Sequence, residues 1–173
     1  IDPDVLDQVV RHRDMNDLDY VSNSLVRSWP HGLDVEAFTF GALERAFNEA
    51  TTQPEREHVT PYLYRSGKFA TGVVEAPGPL RRPDIRITLD TPQDYALLCA
   101  AFEFLYPRSR FFEAASIVRL FDQKPWLAHV NENIAQKKIL GSLEEELHEA
   151  VRVLDLQDLH KARDFLRKRM DEL

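Results

Sequence analysis

Apolar and polar positions divide the chain into short helical and extended stretches. Asp2-Pro3 supplies an N-cap carboxylate and a proline for a first helical turn, and Val5, Leu6, Val9 and Val10 come next at helical spacing. The polar residues 14–17 should end that helix. Residues 18–23 are rich in β-formers and are followed by turn residues, which predicts a strand. Trp29-Pro30-His31-Gly32 reads as a loop. Over residues 33–40, Leu33, Val35 and Ala37 alternate with Asp34, Glu36 and Phe38, the period of a strand with one apolar face. Helical spacing returns over residues 41–50, where Leu43, Ala46, Phe47 and Ala50 share a face. Pro54 starts a second helix over 55–65. Pro61 should kink or reset it, because proline has no N–H to donate. Residues 69–74 read as a strand, 76–83 as a proline-rich loop and 85–89 as another strand.

Thr91 is a good N-cap, Pro92 a good first helical residue, and Asp94 suits the dipole of the first turn. The helix they open runs to about Leu105, with Tyr95, Leu98, Cys99, Phe102 and Leu105 apolar. Beyond Phe111 the pattern is helical only, over 112–121, 125–131, 142–153 and 157–170. Ser142-Leu143-Glu144-Glu145 is a capping box at the start of the third of these. Strands alternating with helices, then helices alone, predict an α/β body over residues 1–110 and a helical extension over 111–173.

Composition narrows the function classes. The 173 residues carry 22 Lys and Arg against 29 Asp and Glu, a formal charge of −7. That balance argues against a nucleic-acid partner, since phosphate binding needs a basic face. Lys161, Arg163, Arg167, Lys168 and Arg169 lie among acids without interleaved aromatics, which reads as a solvated helix face. There is no run of 18 apolar residues, so no membrane partner is expected. The one cysteine, Cys99, excludes an internal disulfide and a cysteine zinc site. It fits a reducing, cytoplasmic compartment and reads as a buried small residue. Neither GxxxxGK[ST] nor GxGxxG occurs. The chain opens without an initiator Met and without a targeting segment, as though inside a domain.

Four groups of residues carry candidate chemistry. Asp34 and Glu36 sit two apart on one strand face behind Pro30-His31-Gly32, where paired carboxylates could orient a polyol or a metal ion. A solvated strand face explains the same pattern and is favoured by pattern alone. Asp90 comes after a predicted strand and precedes a helix N-terminus, the place where open α/β sheets bind ligands and where a carboxylate could hold Mg2+. A turn or capping Asp is equally common there. Arg81, Arg82 and Arg86 form a basic cluster fit for a phosphate or sugar-acid contact, or for a solvated loop. His58 has no Ser or Cys partner at motif spacing and reads as a structural histidine.

Taken in order, these segments resemble a family. Asp19-Tyr20-Val21-Ser22-Asn23, Gly32-Leu33-Asp34-Val35-Glu36, Glu55-Arg56-Glu57-His58-Val59-Thr60-Pro61-Tyr62 and Arg86-Ile87-Thr88-Leu89-Asp90-Thr91-Pro92-Gln93-Asp94 look like the ordered signature of the spore coat polysaccharide biosynthesis protein F family. Its members are cytidylyltransferases similar to the CMP-sialic acid and CMP-Kdo synthetases. Ile1-Asp2-Pro3 matches the residues directly after that family's Asp-Cys-Pro-Leu motif, and Asn131-Glu132-Asn133-Ile134-Ala135-Gln136-Lys137 looks like its later Asn-x-x-x-x-Gln-Lys element. The resemblance covers about residues 1–138.

The resemblance implies a GT-A-like nucleotidyltransferase fold, Rossmann-like and three-layered. The N-terminal nucleotide-binding strands would be lacking, so residues 1–110 would be the acceptor-side part, with a helical C-terminal tail. It implies transfer of CMP from CTP to a sugar or sugar acid for surface polysaccharide assembly, with Mg2+ bridging the phosphates. Asp90 matches the magnesium-ligating Asp of the related synthetases, although Gln93 replaces their usual Glu. The second metal ligand would come from the Asp-Cys-Pro-Leu motif, which the 173 residues do not contain. The resemblance places Asp34, Glu36 and Arg86 in the catalytic set, and Tyr20, Ser22, Asn23, His31, Gly32 and His58 toward the substrate. By itself the chain is not expected to turn over CTP. The related synthetases are often dimers, which makes a homodimer an expected partner state. The alternative is a non-catalytic interaction or regulatory module on a degenerate nucleotidyltransferase scaffold.

Overall fold

Helix α1, Pro3–Met15, opens the computed structural model, which describes residues 2–134, 140 and 142–171. Ile1 lies outside the described residues, as do Ala135, Gln136 and Lys137 of the 131–137 element. Asp2 caps α1 through Oδ1, which accepts the Asp4 N–H at 2.9 Å. Its Oδ2 accepts the N–H of Ala114 at 2.7 Å, at the first residue of α6 (Ala114–Gln123). One buried carboxylate therefore satisfies donors at the starts of two helices, one of them 112 residues away along the chain.

Three short strands form a mixed sheet in the order β2-β1-β3. The centre is β1 (Tyr20–Ser22), with β2 (Glu36–Phe38) antiparallel on one side and β3 (Thr71–Val73) parallel on the other. Successive β1 side chains enter opposite layers. Val21 packs with Val5, Val9, Trp29, Leu33 and Val35 on the α1 side. Tyr20 packs with Ala42, Ala46 and Ala50 at α2 (Phe40–Glu49), with Tyr62 and Leu63 of α4 (Pro61–Arg65), and with Phe69. A third cluster joins Ile85 to α5 (Pro92–Leu105), α6 and a 3-10 turn at Pro125–Val130 through Leu97, Ala101, Val118, Leu120, Phe121 and Leu127.

The compact units of the chain are Ile1–Glu132, which holds the sheet, and Asn133–Leu173. The second contains α7 (Leu143–Leu156) and α8 (His160–Met170). Ser142 caps α7 by accepting the Glu145 N–H, as its capping box requires. No described helix is long and apolar enough to cross a membrane.

Several elements differ from the sequence expectation, each for a local reason. The strand expected over 33–40 is extended only at Glu36–Phe38. The Asn23 side chain takes the place of a ladder here, donating to Leu33 O at 2.8 Å and accepting the Val35 N–H at 2.7 Å. The alternation survives, since Leu33 and Val35 are buried. The strand expected over 85–89 is reduced to one parallel bridge between His31 and Arg86. Pro30 has no N–H, and Gly32 turns away at φ +104°, so the ladder cannot extend in either direction. The helix expected over 55–65 splits into α3 (Gln53–Glu57) and α4, with Val59 at φ +65° between them. α3 stops at the residue whose carbonyl the Pro61 ring would strike.

Two helix faces also differ. Phe47 is 69% exposed, because α2 turns its alanines inward. Cys99 is exposed rather than buried. α5 is apolar around most of its circumference, and the face it buries is Asp94, Leu97 and Ala101, which leaves Tyr95, Cys99 and Phe102 outside.

Replacing Asn23 by Ala would leave a buried carbonyl and a buried N–H unpaired. We expect Asn23→Ala to lower unfolding free energy by about 2–4 kcal/mol in a denaturant titration. A change within about 0.5 kcal/mol would contradict the ladder-replacing role.

Candidate functional site

The densest polar cluster sits where residues 86–91 lead into α5. Thr91 is the N-cap, and its hydroxyl accepts the Asp94 N–H at 3.2 Å. The Asp94 side chain is fully buried. Its Oδ1 accepts from Arg86 Nε at 3.0 Å and from Asn131 Nδ2 at 2.8 Å. Its Oδ2 accepts from Arg86 Nη2 at 2.9 Å, from the Thr88 hydroxyl at 2.9 Å and from the Asp90 N–H at 3.1 Å. Burial alone would push this carboxyl upward. Donation from Arg86, Asn131, the Asp90 backbone and Thr88 outweighs it and holds Asp94 well below the usual carboxylate range.

Arg86 is thereby committed to a bidentate pair, the strongest geometry a guanidinium offers a carboxylate. The Asn131 amide also donates to Arg86 O at 3.1 Å. Arg86 Nη2 reaches outward to Asp90 Oδ2 at 3.1 Å. The Asp90 side chain remains 66% exposed, so its carboxylate is held at one oxygen and open to solvent. No strand precedes Asp90, in contrast to the strand-end position expected for it. The basic cluster expected at 81–86 is dispersed: Arg81 pairs with Glu75, and Arg82 with Asp84 and Asp122.

His31 lies across from this segment. Its N–H donates to Ile85 O and its carbonyl accepts from Ile87 N, both at 2.8 Å. Its Nδ1 is buried with no hydrogen-bond partner among the described residues. Burial, then the charge of Arg27, lowers its pKa, while Asp34 opposes the shift. Gly32 is required by packing as well as by its positive φ, since a Cβ there would stand 2.6 Å from Ile87 O. Asp34 pairs with Arg27.

Glu36 faces different partners. Its Oε1 accepts from the Tyr20 hydroxyl at 2.6 Å and from the Thr60 hydroxyl at 3.3 Å. Burial, then the Glu36 carboxylate, raises the Tyr20 phenol well above its ordinary pKa, so it stays a donor. The Ser22 hydroxyl is spent on Ser24, and Asn23 on the backbone of Leu33 and Val35. His58 is exposed at the C-terminal end of α3.

Of the residues the sequence singled out, Arg86 is bridged to His31 through the backbone and paired with Asp90 through its side chain, and Tyr20 is bonded to Glu36. Asp34 and Glu36, expected to act as one pair, engage separate partners. Asp94, Asn131, Thr88 and Thr60 lie within the quoted motifs, but sequence reasoning gave none of them a site role. Asp94 read as a first-turn acid and as the end of the Arg86–Asp94 motif, and nothing local signals its bond to an asparagine 37 positions away. Among the described residues no three His, Cys, Asp or Glu side chains gather as a metal site.

No protein-family model matches the chain. It is 34% identical over 139 residues to an uncharacterised protein of Methanocaldococcus jannaschii, an alignment covering 78% of this chain and 54% of that protein. Its fold matches the solved structure of a cytidylyltransferase from Leptospira borgpetersenii serovar Hardjo-bovis with a TM-score of 0.67. That match is 24% identical in sequence and covers 82% of this chain and 56% of the other. The chain thus has the fold of part of a cytidylyltransferase structure and spans about half the length of each protein it matches.

The Asp94 carboxylate gives a signed pH dependence. Its folded pKa is depressed, so its contribution is complete above its unfolded value of about 3.9 and fades as pH falls through that value toward the folded one. We expect Asp94→Asn to be less stable than wild type at neutral pH, with the gap closing below about pH 4. Denaturant midpoints measured across pH would show this, and a gap independent of pH would contradict it.

Proposed function

We propose that the protein carrying this chain is a cytidylyltransferase, and that these residues form its acceptor side, serving transfer of CMP from CTP to a sugar or sugar acid for surface polysaccharide assembly. The observation that carries this reading is the Asp90 carboxylate, displayed at the start of α5 by Arg86 on a fold shared with a solved cytidylyltransferase. The ordered motifs around Tyr20, Gly32, Thr60 and Asp90 support it.

Mg2+ suits one such carboxylate. The ion keeps several waters and binds through one or two carboxylates plus substrate phosphates, so Asp90 can be one ligand without a full protein cage. Asp94 cannot be another, because both its oxygens are occupied. When bound, the ion would neutralise phosphate charge. In the reaction an acceptor hydroxyl oxygen bonds to the α-phosphorus, the bond to the bridging oxygen breaks, pyrophosphate leaves and the hydroxyl proton passes to solvent or a base. On this reading Arg86 holds Asp90 in place. His31, Gly32, Asp34, Glu36 and Tyr20 shape the acceptor side.

Pyrophosphate release from CTP and Mg2+, assayed with a panel of sugars and sugar acids, tests the reading in the protein carrying this chain. Release is expected to depend on the acceptor, with a CMP-sugar as co-product. Asp90→Asn should raise the Mg2+ requirement by about tenfold or more while leaving thermal stability near wild type. The absence of any CMP transfer would favour a non-catalytic module, and an unchanged Mg2+ requirement would remove Asp90 as a ligand.

A further inference from the structure

A cavity of about 200 Å³ lies at the end of α5 remote from Asp90, bounded by the last turn of that helix, the turn that follows it and one face of α6. α5 has 14 residues, so about 20 Å of helix separates the two places. Phe104, Leu105, Phe112 and Leu120 give the cavity apolar walls. Leu120 is buried, and Phe112 is held edge-on by Phe102 with 5.0 Å between ring centroids.

Three cations share this hollow, Arg108, Arg119 and Lys124, and no carboxylate among the described residues lines it. In a chain of charge −7 that is an unusual concentration. Elsewhere arginines find acids: Arg27, Arg81, Arg82, Arg86, Arg152 and Arg163 each pair with a carboxylate. The cavity cations have only neutral neighbours. Arg119 Nη2 donates to the Ser116 hydroxyl at 2.9 Å, and Lys124 Nζ stands 4.3 Å from the centre of the Phe104 ring. Arg108 has no ion-pair partner among the described residues.

Like charges around an apolar hollow repel one another, and an anion seated among them turns that repulsion into attraction. Guanidinium forks with an ammonium beside them are the donors that phosphoryl oxygens take, and Ser109 and Gln123 add neutral donors at the same wall. The C-terminal carbonyls of α5 oppose an anion here. That effect is reduced, because Leu105 O already accepts from the Arg108 and Ser109 N–H groups, both at 3.0 Å.

We propose that this cavity binds the phosphoryl group of a small phosphate ester, held by Arg108, Arg119 and Lys124, with the organic part against Phe104 and Phe112. Its size selects a small ligand. A nucleic-acid strand needs a basic groove that follows its backbone, and this is a single hollow on an acidic chain. The site stands apart from Asp90 and needs neither CTP nor Mg2+.

Isothermal titration calorimetry on the full chain tests this, with ribose 5-phosphate, inorganic phosphate and ribose as probes. Ribose 5-phosphate is expected to bind saturably at a single site, inorganic phosphate more weakly, and ribose not at all. Arg108→Gln combined with Arg119→Gln should weaken the ester about tenfold or more. Arg81→Gln, which removes a cation paired with Glu75, should leave its affinity unchanged. Neither cavity arginine has an acid to lose, so the double variant without ligand should keep a Tm at or above wild type. Failure of the ester to bind, equal binding of ribose, or unchanged affinity in the double variant would each overturn the proposal. A Tm well below wild type would assign the arginines to the fold and overturn it too. Tighter binding of a short single-stranded oligonucleotide or of phosphatidic acid vesicles, lost in the same double variant, would overturn the small-ester class.

Discussion

A single buried carboxylate governs the part of the molecule on which function is proposed. Asp94 is fully buried and ionised, which is tolerable only because five donors converge on its two oxygens. Those donors belong to separate pieces of chain. Arg86, Thr88 and the Asp90 backbone come from the segment before α5, and Asn131 from the end of the 3-10 turn that closes the third apolar cluster. Satisfying one charge therefore fixes the path of residues 86–90 and their place against that turn. Asp90 is displayed as a consequence, since the guanidinium that reaches it is already anchored from behind.

The same economy recurs on a smaller scale. Asn23 supplies to Leu33 and Val35 the bonds that a neighbouring strand would otherwise give. Asp2 serves the starts of α1 and α6. A three-stranded sheet of three-residue strands has few ladder bonds, so side chains satisfy much of the buried backbone. That division decides which elements are legible in the sequence. Caps and apolar stripes are local signals, and α1, α5 and the burial of Leu33 and Val35 were legible from them. Ladders were not, because they depend on the partner. Residues 85–89 look like a strand alone but face Pro30 and Gly32, which permit one bridge. The inward faces of α2 and α5 were obscured because both helices carry apolar residues around most of their girth.

The candidate site shows the same division. Motif order pointed to Asp90, Arg86, His31, Gly32, Glu36 and Tyr20 as candidates, and among them Arg86 reaches Asp90 and Tyr20 reaches Glu36. What motif order could not reveal is which groups are available. Asn23, Ser22 and Gly32 are consumed by packing and backbone bonds, Arg86 by Asp94, and His58 stands apart at the end of α3. Availability depends on burial and on competing partners, and both arise from contacts between segments distant in sequence.

The claim that Asp94 and Arg86 act as one unit is tested most directly by a double-mutant cycle on unfolding free energy with Arg86→Ala, Asp94→Ala and their combination. Either single change strands a charge without its main partner, whereas the double change removes both. The double variant is expected to be hardly less stable than either single one, with a coupling energy of about 3 kcal/mol or more. Effects that add to within about 0.5 kcal/mol would contradict it.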